Sequence, residues 1–373
     1  MLITSVEAIP LRAELSQPFR FGNIVRTRSQ NVLVKITTDT GATGWGEACP
    51  VPQLTAETQA SVTALVNGEV RQAFVGQDAR ARHALLAAVN RVHLGIHFTM
   101  AALDTALLDV VAQGHGMAVS DLLGGRVREQ VEVHGSVGWD EDPQAVARTA
   151  QAYAEEFTWL KLYAGKGTLD ADLRSIEAAR EAVGAEHPFL LDINGLWTVT
   201  DVVRAGPRLR EAGVQLIEQP VHPADPLGNA TATRILLGEH GIDVAADESI
   251  RDPADVAAVA RAGAASVINV GMSKMGGITP ALAAAQVAAA HGLPVMVGGV
   301  VELGVANAAG LQLAAVLPAL AAPSYLMGPL KYAEQVTSPV IAPQESRLRV
   351  PTGPGLGVTV DEDALGRLRL DAH

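Results

Sequence analysis

The 373-residue chain is long enough to bury a large core, and it fits either one barrel with an appendage or two ordinary domains. Hydrophobic residues make up 48% of it and charged residues 18%, which excludes a disordered or fibrous chain. The 40 acidic and 28 basic residues give a net charge of −12, so we expect a small-molecule partner and no nucleic-acid partner.

Features of location point to the cell interior. The single cysteine, Cys49, excludes an internal disulfide framework and fits a reducing compartment. Residues 1–5 enter a strand pattern at once, without the parts of a secretory signal, so we expect a cytoplasmic protein. The uncharged stretch 303–322 is rich in Ala and Gly and contains Pro318, which favours a buried helix over a membrane span.

The first 125 residues show strand patterns followed by helical patterns. Apolar and polar residues alternate over 3–12 and 31–47, with a tight turn at 39–41. Helical spacing then covers 56–66, 79–88 and 100–111. This order predicts an α+β domain over residues 1–125.

From residue 131 the chain alternates short β-branched runs with Ala-rich helical stretches, which is typical of parallel strands joined by helices. We predict an α/β fold of the TIM-barrel type over 126–327. A Gly- and Pro-rich segment, 328–373, is predicted to pack back on the first domain. The predicted barrel strands are 131–137, 159–163, 189–193, 216–218, 244–246, 266–270, 294–297 and a weak one near Tyr325.

Three acids stand at the ends of three successive predicted strands: Asp192, Glu218 and Asp247. Barrel active sites lie at the carboxyl ends of the strands, so these side chains should surround one point. One acid after a strand commonly caps the next helix, but three in succession favour a metal. An all-oxygen cluster suits Mg²⁺, with Mn²⁺ as a substitute.

The segments around these acids, together with Gly276 and Gly277 and the stretches 41–47, 122–125 and 354–357, resemble the muconate lactonizing subgroup of the enolase superfamily. The resemblance covers nearly the whole chain. It implies a modified (β/α)7β barrel under an N-terminal capping domain that the C-terminal tail completes. It further implies a Mg²⁺-dependent enzyme that removes an α-proton from a carboxylic acid to form a metal-stabilised enolate, and a homo-oligomer.

The chain departs from that family in both usual catalytic lysines. The family pattern Lys-x-Lys at the second strand reads Lys161-Leu162-Tyr163 here, so a tyrosine takes the place of the expected base. Five residues before the glycine pair, where the family usually has a lysine, the chain has Gly271. Lys274 follows three residues later, and we interpret it as structural.

Losing both lysines counts against a racemase, which needs an acid/base group on each face of the substrate. The leading hypothesis is a lyase that dehydrates a hydroxy acid, with Tyr163 as acid/base and Lys161 lowering the pKa of its phenol. An isomerase remains open, either a cycloisomerase or a racemase or epimerase that uses Lys274 or His134. A third possibility is a non-catalytic relic that still binds metal or ligand.

Other candidates surround the predicted metal. His134 and Ser136 share the inward face of the first predicted strand, with a structural role favoured for His134. The resemblance places Asn194 near the metal and Glu302 after the seventh strand, and we predict substrate contacts for Ser136, Asn194 and Glu302. Segments 17–28 and 50–55 are predicted to close over the barrel mouth.

Overall fold

The computed structural model describes residues 1–21, 24–52 and 54–370, so parts of both predicted closing segments lie outside the described residues. Its strands are β1 (Ile3–Pro10), β2 (Glu14–Phe21), β3 (Ile24–Arg28), β4 (Val32–Thr38), β5 (Thr43–Ala48), β6 (Gln130–Glu132), β7 (Gly135–Val137), β8 (Leu160–Tyr163), β9 (Phe189–Asp192), β10 (Val214–Glu218), β11 (Asp243–Ala246), β12 (Val267–Asn269), β13 (Val295–Met296), β14 (Thr337–Ser338), β15 (Arg347–Arg349) and β16 (Thr359–Val360).

Its α-helices are α1 (Gln59–Leu65), α2 (Arg71–Phe74), α3 (Arg82–Asn90), α4 (His97–His115), α5 (Val119–Leu122), α6 (Pro143–Ala154), α7 (Leu169–Val183), α8 (Val199–Glu211), α9 (Pro226–His240), α10 (Pro253–Ala262), α11 (Met272–Met275), α12 (Ile278–Ala290), α13 (Gly304–Val316) and α14 (Glu362–Leu368). A π-helical turn, Val66–Val70, joins α1 to α2, and 3-10 turns span Ala79–Ala81 and Gly328–Lys331.

The N-terminal layer is an antiparallel sheet of order β1-β4-β5 packed on the long helix α4. The turn predicted at 39–41 joins β4 to β5. The segment predicted as a lid loop is instead part of a hairpin, β2 with β3, because its backbone groups pair with each other. This hairpin contacts the 3-10 turn Gly328–Lys331, which follows the barrel.

The barrel sheet is parallel, in the order β7 to β13, as the sequence predicts. Its strands are mostly apolar and largely buried, and all four residues of β9 are buried, because the barrel interior and the outer helices cover both faces. The predicted strand 131–137 is divided: β6 pairs antiparallel with β15, and only β7 joins the barrel. Helix α13 occupies the uncharged stretch, and within the described residues no helix is long and apolar enough to cross a membrane.

The gap between β13 and the start of the barrel is closed by an irregular segment around Tyr325. The Tyr325 N–H donates to the Val297 carbonyl at 2.9 Å, and the Ser324 N–H donates to the Glu132 carbonyl at 2.8 Å. The weak strand predicted here is therefore present only as isolated backbone bridges.

Two buried acids join the N-terminal layer to the barrel. Glu47 on β5 accepts hydrogen bonds from the Leu303 N–H at 2.7 Å and the Ala306 N–H at 2.9 Å, at the start of α13. Asp104 on α4 accepts one from the Thr279 N–H at 2.9 Å, at the start of α12. Each carboxylate satisfies helix N–H groups that have no partner within their own helix.

The C-terminal segment contacts both layers. Its strand β15 pairs with β6 beside the barrel, and the Leu356 N–H donates to Asp109 on α4 at 2.8 Å. Further along, the Leu370 N–H donates to the Pro10 carbonyl at 2.9 Å. These contacts agree with the predicted return of the tail, while the division at residues 125 and 327 stays a prediction.

Candidate active site

The three predicted metal acids lie side by side at the carboxyl edge of the barrel sheet. Asp192 and Glu218 end the neighbouring strands β9 and β10 and are register partners, and Asp247 directly follows β11. Their side chains line a cavity of about 600 Å³ between the barrel and the N-terminal layer. The spacing of the strands thus brings together acids that lie 26 and 29 residues apart in the sequence.

Lys161 on β8 lies between two of these acids, Asp192 and Glu218. Its Nζ is 2.7 Å from Asp192 Oδ2 and 2.8 Å from Glu218 Oε2, and only 4% of the side chain is exposed. Burial alone would lower the pKa of Lys161, but the two carboxylates outweigh it and raise that pKa well above its usual value. The lysine is therefore held as a cation.

A fourth acid, Glu248, adds to the negative charge. Its Oε1 accepts a hydrogen bond from Asn194 Nδ2 at 3.0 Å, whereas its buried Oε2 has no partner among the described residues. Burial, with the neighbouring acids, raises the pKa of Glu248 well above its usual range. Burial likewise raises the pKa of Glu218 to about 7. The site therefore holds more carboxylates than nearby ammonium groups can balance.

This donor set fits a divalent cation. Carboxylate oxygens are the ligands that Mg²⁺ takes, and an added cation would offset the crowding that raises these pKa values. In the structure these carboxylates form ion pairs with Lys161 and Lys274. We expected the three acids to surround one point, but in the described part of the chain no three acidic, imidazole or thiol groups converge in this way. Asp192, Glu218 and Asp247 are the residues that could hold the metal.

Lys274 reaches the cavity from the short helix α11. Its Nζ is 2.6 Å from Asp247 Oδ1, and it also donates to the Asp247 carbonyl. A Cβ at Gly271 would lie 3.2 Å from Lys274 Cε and 3.5 Å from Cγ. Lys274 therefore runs through space that a side chain at position 271 would need, and it is one of the residues that line the cavity.

Tyr163 ends β8 and is half-buried in the cavity wall. Its ring packs edge-on against Phe19 with centroids 5.8 Å apart, and Lys161 Nζ lies 5.3 Å from its centroid. Burial and the neighbouring carboxylates raise the pKa of the phenol, and Lys161 offsets only part of the rise. The predicted lowering of this pKa is thus wrong for the arrangement in the structure.

His134 lies beneath the site. Its ring is fully buried, packs against Tyr325 at 5.7 Å, and has its Nδ1 3.5 Å from Ser136 Oγ. Burial, with Lys161, lowers the pKa of His134 well below its usual value, so the ring is neutral. It is absent from the described residues that line the cavity, which agrees with the structural role favoured from the sequence.

The predicted substrate contacts are divided between places. Asn194 lines the cavity. Ser136 instead lines a second, adjoining cavity, and Glu302 is buried nearby, where its Oε1 accepts a hydrogen bond from Ser273 Oγ at 2.9 Å. These three residues therefore do not form one surface, and only Asn194 is in contact with the cavity that holds the acids.

Sequence reasoning missed three residues of the site. Glu248 adjoins Asp247, and this adjacency was a usable signal. Gln219 Oε1 accepts hydrogen bonds from the Asp247 and Ser249 N–H groups, both at 3.1 Å, and so holds the loop after β11 in place. Tyr325 lines the cavity from the irregular segment, where the sequence predicts only a weak strand.

Two family models match this chain, one in each part. Residues 144–364 match the family described as enolase C-terminal domain-like, and residues 4–124 match the mandelate racemase/muconate lactonizing enzyme N-terminal domain. The chain belongs to the mandelate racemase/muconate lactonizing enzyme family of the enolase superfamily. The resemblance read from the motifs is confirmed, and the chain is an enzyme of this superfamily.

Members of the family with known activities align over its full length. Muconate cycloisomerase 1-2 of Acinetobacter lwoffii is 30% identical over 100% of this chain and 96% of that protein. L-Ala-D/L-Glu epimerase of Bacillus subtilis is 30% identical over 96% and 97%. The crystal structure of N-succinyl Arg/Lys racemase from Bacillus cereus has a TM-score of 0.93 at 26% identity and covers 100% of this chain and 99% of that one.

Proposed function

We propose that this chain is a divalent-metal-dependent isomerase that transfers a proton at the carbon next to a substrate carboxylate. The observation that carries the proposal is the position of two ammonium groups on either side of the acids. Lys161 binds Asp192 and Glu218, and Lys274 binds Asp247.

The barrel geometry supports a substrate enclosed between these two groups. Lys161 lies on the second strand of the barrel sheet, whereas Lys274 follows the sixth, β12. In a ring with eight positions, the second and sixth face each other. A substrate whose carboxylate lies at the acids would have Lys161 and Tyr163 on one side and Lys274 on the other.

Two-sided proton transfer follows from this arrangement. A bound divalent cation would supply the positive charge that stabilises negative charge developing on the substrate carboxylate. We infer that Lys274 Nζ exchanges a proton on one face and Tyr163 Oη on the other. Lys161, fixed between two carboxylates, supplies positive charge to the tyrosine side.

This proposal replaces dehydration as the preferred reaction. The case for a lyase depended on the loss of both family lysines, which left only one face with a proton-transfer group. Lys274 in the space beside Gly271 removes that objection. The relatives named above are a cycloisomerase, an epimerase and a racemase, and none of them is named for an elimination reaction.

The test is exchange of the substrate α-hydrogen in deuterium oxide, followed by NMR over a library of carboxylic acids, with Mg²⁺ and after its removal by EDTA. We expect Mg²⁺-dependent exchange with either inversion at the α-carbon or ring closure, and no loss of water. Products that have lost a hydroxyl group of the substrate as water would instead establish the lyase. No exchange with any acid would favour the non-catalytic relic.

Variants assign the two faces. Lys274→Met and Tyr163→Phe should each lower turnover by about 100-fold or more, the usual contribution of a positioned acid or base. Lys35→Met is the control, because Lys35 lies on the N-terminal sheet and pairs with the exposed Glu362. Full activity of Lys274→Met would contradict the two-sided mechanism.

A further inference from the structure

Glu218, the middle one of the three acids in the sheet order, accepts hydrogen bonds from two sides. Lys161 Nζ lies 2.8 Å from its Oε2, and Asn269 Nδ2 donates to its Oε1 at 2.9 Å. Glu218 and Asn269 are each only 2% exposed. The proposed proton transfer does not use Asn269, so the contact of this amide with a metal acid needs its own explanation.

The three side chains come from alternate strands of the barrel. Lys161 lies on β8, Glu218 on β10 and Asn269 on β12, and one strand separates each from the next. Side chains from alternate strands of such a barrel fill one layer of its interior. Asn269 therefore reaches Glu218 from within the barrel, on a strand rather than on a loop, which suits a group that fixes the position of another.

A glycine on the neighbouring strand leaves the space for this amide. Gly298 lies two residues after β13, and a Cβ there would lie 2.2 Å from Asn269 Oδ1 and 2.4 Å from Nδ2. The φ angle of Gly298 is not positive, so the backbone conformation does not require glycine at this position. The orientation of the Asn269 amide thus depends on the missing side chain at position 298.

The direction of the amide follows from the chemistry of its partner. An ionised carboxylate only accepts hydrogen bonds, so the NH₂ group of Asn269 faces Glu218. Asn269 Oδ1 is buried and has no hydrogen-bond partner among the described residues. A buried oxygen without a donor lowers stability. An arrangement that is unfavourable for folding is typical of a functional site.

An amide has an advantage over a second ammonium at this point. Lys161 already places one positive charge beside Asp192 and Glu218. Another ammonium on Glu218 would compete with a divalent cation for the same negative charge. A neutral amide orients the carboxylate and leaves its charge to the cation, as the hydrogen-bond partners of metal-binding carboxylates do.

We propose that Asn269 is a positioning residue that fixes Glu218 for the divalent cation, and that Gly298 provides the space in which it does so. The inference rests on the proposed function, because that function assigns the cation to Asp192, Glu218 and Asp247. Asn269 acts through Glu218 and does not itself contact the substrate.

The test is isothermal titration calorimetry of the metal-free protein with Mg²⁺ alone, together with the electron paramagnetic resonance spectrum of bound Mn²⁺. Asn269→Leu removes the donor and keeps a side chain of similar size. Gly298→Ala leaves Asn269 in the chain but displaces its amide. Each variant should raise the Kd for Mg²⁺ about tenfold or more, the usual effect of losing such a partner, and should alter the Mn²⁺ spectrum, which reports the arrangement of the ligands.

Asn307→Leu is the matched control. Asn307 on α13 is also 2% exposed and also has an Oδ1 without a partner among the described residues, but its Nδ2 donates to the Leu326 carbonyl instead of a metal acid. This variant should lose stability and keep both the Kd for Mg²⁺ and the Mn²⁺ spectrum of the wild type.

Three results would overturn the proposal: a wild-type Kd for Mg²⁺ in Asn269→Leu or Gly298→Ala, an equal weakening in Asn307→Leu, or no binding of Mg²⁺ by the wild type. If Asn269→Leu does not fold, Gly298→Ala decides. Metal binding is measured without substrate, so failure of the isomerase proposal alone would be seen in the exchange experiment while Mg²⁺ still binds.

Discussion

At the scale of single residues, Asp172 shows how one buried carboxylate organises the mouth of the barrel. Its Oδ2 accepts hydrogen bonds from Trp197 Nε1 at 3.1 Å and from the Gly165 N–H at 2.9 Å. Its Oδ1 accepts one from Trp139 Nε1 at 3.3 Å. These three donors lie on the loops after β7, β8 and β9, so one side chain links three neighbouring loops.

We expect Asp172→Ala to lower the free energy of unfolding by roughly 3 kcal/mol, because it leaves buried donors without an acceptor. Urea denaturation monitored by tryptophan fluorescence measures this. Asp170→Ala is the control: its ion pairs with Arg174 and Arg208 are exposed and should contribute less than about 1 kcal/mol. Equal losses in the two variants would show that the loop linkage adds no stability.

Residues of the site differ in how far the sequence reveals them. Asp192 and Glu218 could be assigned because each ends an apolar run, and the parallel barrel then brings the ends of the runs together. The direction in which the Lys274 side chain extends could not be predicted, because it depends on the space that Gly271 leaves free. The direction of the Tyr163 pKa shift was also hidden, because it depends on the burial of the phenol and on its neighbouring carboxylates.

At the scale of elements, the contact between β5 and α4 is unusually close. A Cβ at Gly46 would lie 1.9 Å from the Ala102 carbonyl oxygen, and one at Gly44 would lie 2.3 Å from the Ala106 carbonyl oxygen. The missing side chains let the strand rest directly on the backbone of the helix. This contact fixes the distance between the sheet and the helix of the N-terminal layer.

Gly46→Ala should therefore destabilise the protein by about 3 kcal/mol or more, since neither backbone can move without disturbing the sheet or the helix. Gly68→Ala is the matched control. Nothing lies within 4 Å of a Cβ at that helical position, so alanine should be neutral or slightly stabilising. Thermal unfolding followed by circular dichroism compares the two, and an unchanged midpoint for Gly46→Ala would contradict the close packing.

Elements with a clear period were predictable, and those fixed by tertiary contacts were not. The barrel strands have continuous apolar runs, and seven of the eight predicted ones are present, within a few residues or in part. The β2–β3 hairpin was taken for a loop because the family resemblance implies loops that close over the barrel at this position. The segment at Tyr325 closes the barrel through isolated backbone bonds, which no side-chain pattern encodes.

At the scale of the whole molecule, Glu47 couples the two layers and responds to pH. Burial raises its pKa to about 7, from a usual value of 4.5, although the Ala306 and Leu303 N–H groups oppose the rise. Between these values the folded state binds more protons than the unfolded state. The contribution of Glu47 to stability is therefore full below about pH 4.5 and is lost as the pH rises towards 7.

Glu47→Gln should remove this dependence. The difference in unfolding free energy between wild type and variant should fall by on the order of 3 kcal/mol from pH 5 to pH 8. Urea denaturation at the two pH values measures it, and Asp109, whose pKa burial also raises to about 7, cancels because it is present in both proteins. The exposed Glu14→Gln is the control, and a difference that is constant with pH for Glu47→Gln would show that this carboxylate is already ionised at pH 5.

The cavity wall also has a consequence for how the protein is made. Its lining joins Val51, Lys161, Lys274 and Tyr325, which are spread over most of the chain. Asp192, Glu218 and Asp247 are synthesised well before Tyr325, and contacts of such long sequence separation form slowly. A partly synthesised chain lacks part of the cavity wall. Enzyme activity therefore measures only those molecules in which the end of the barrel has packed against its beginning.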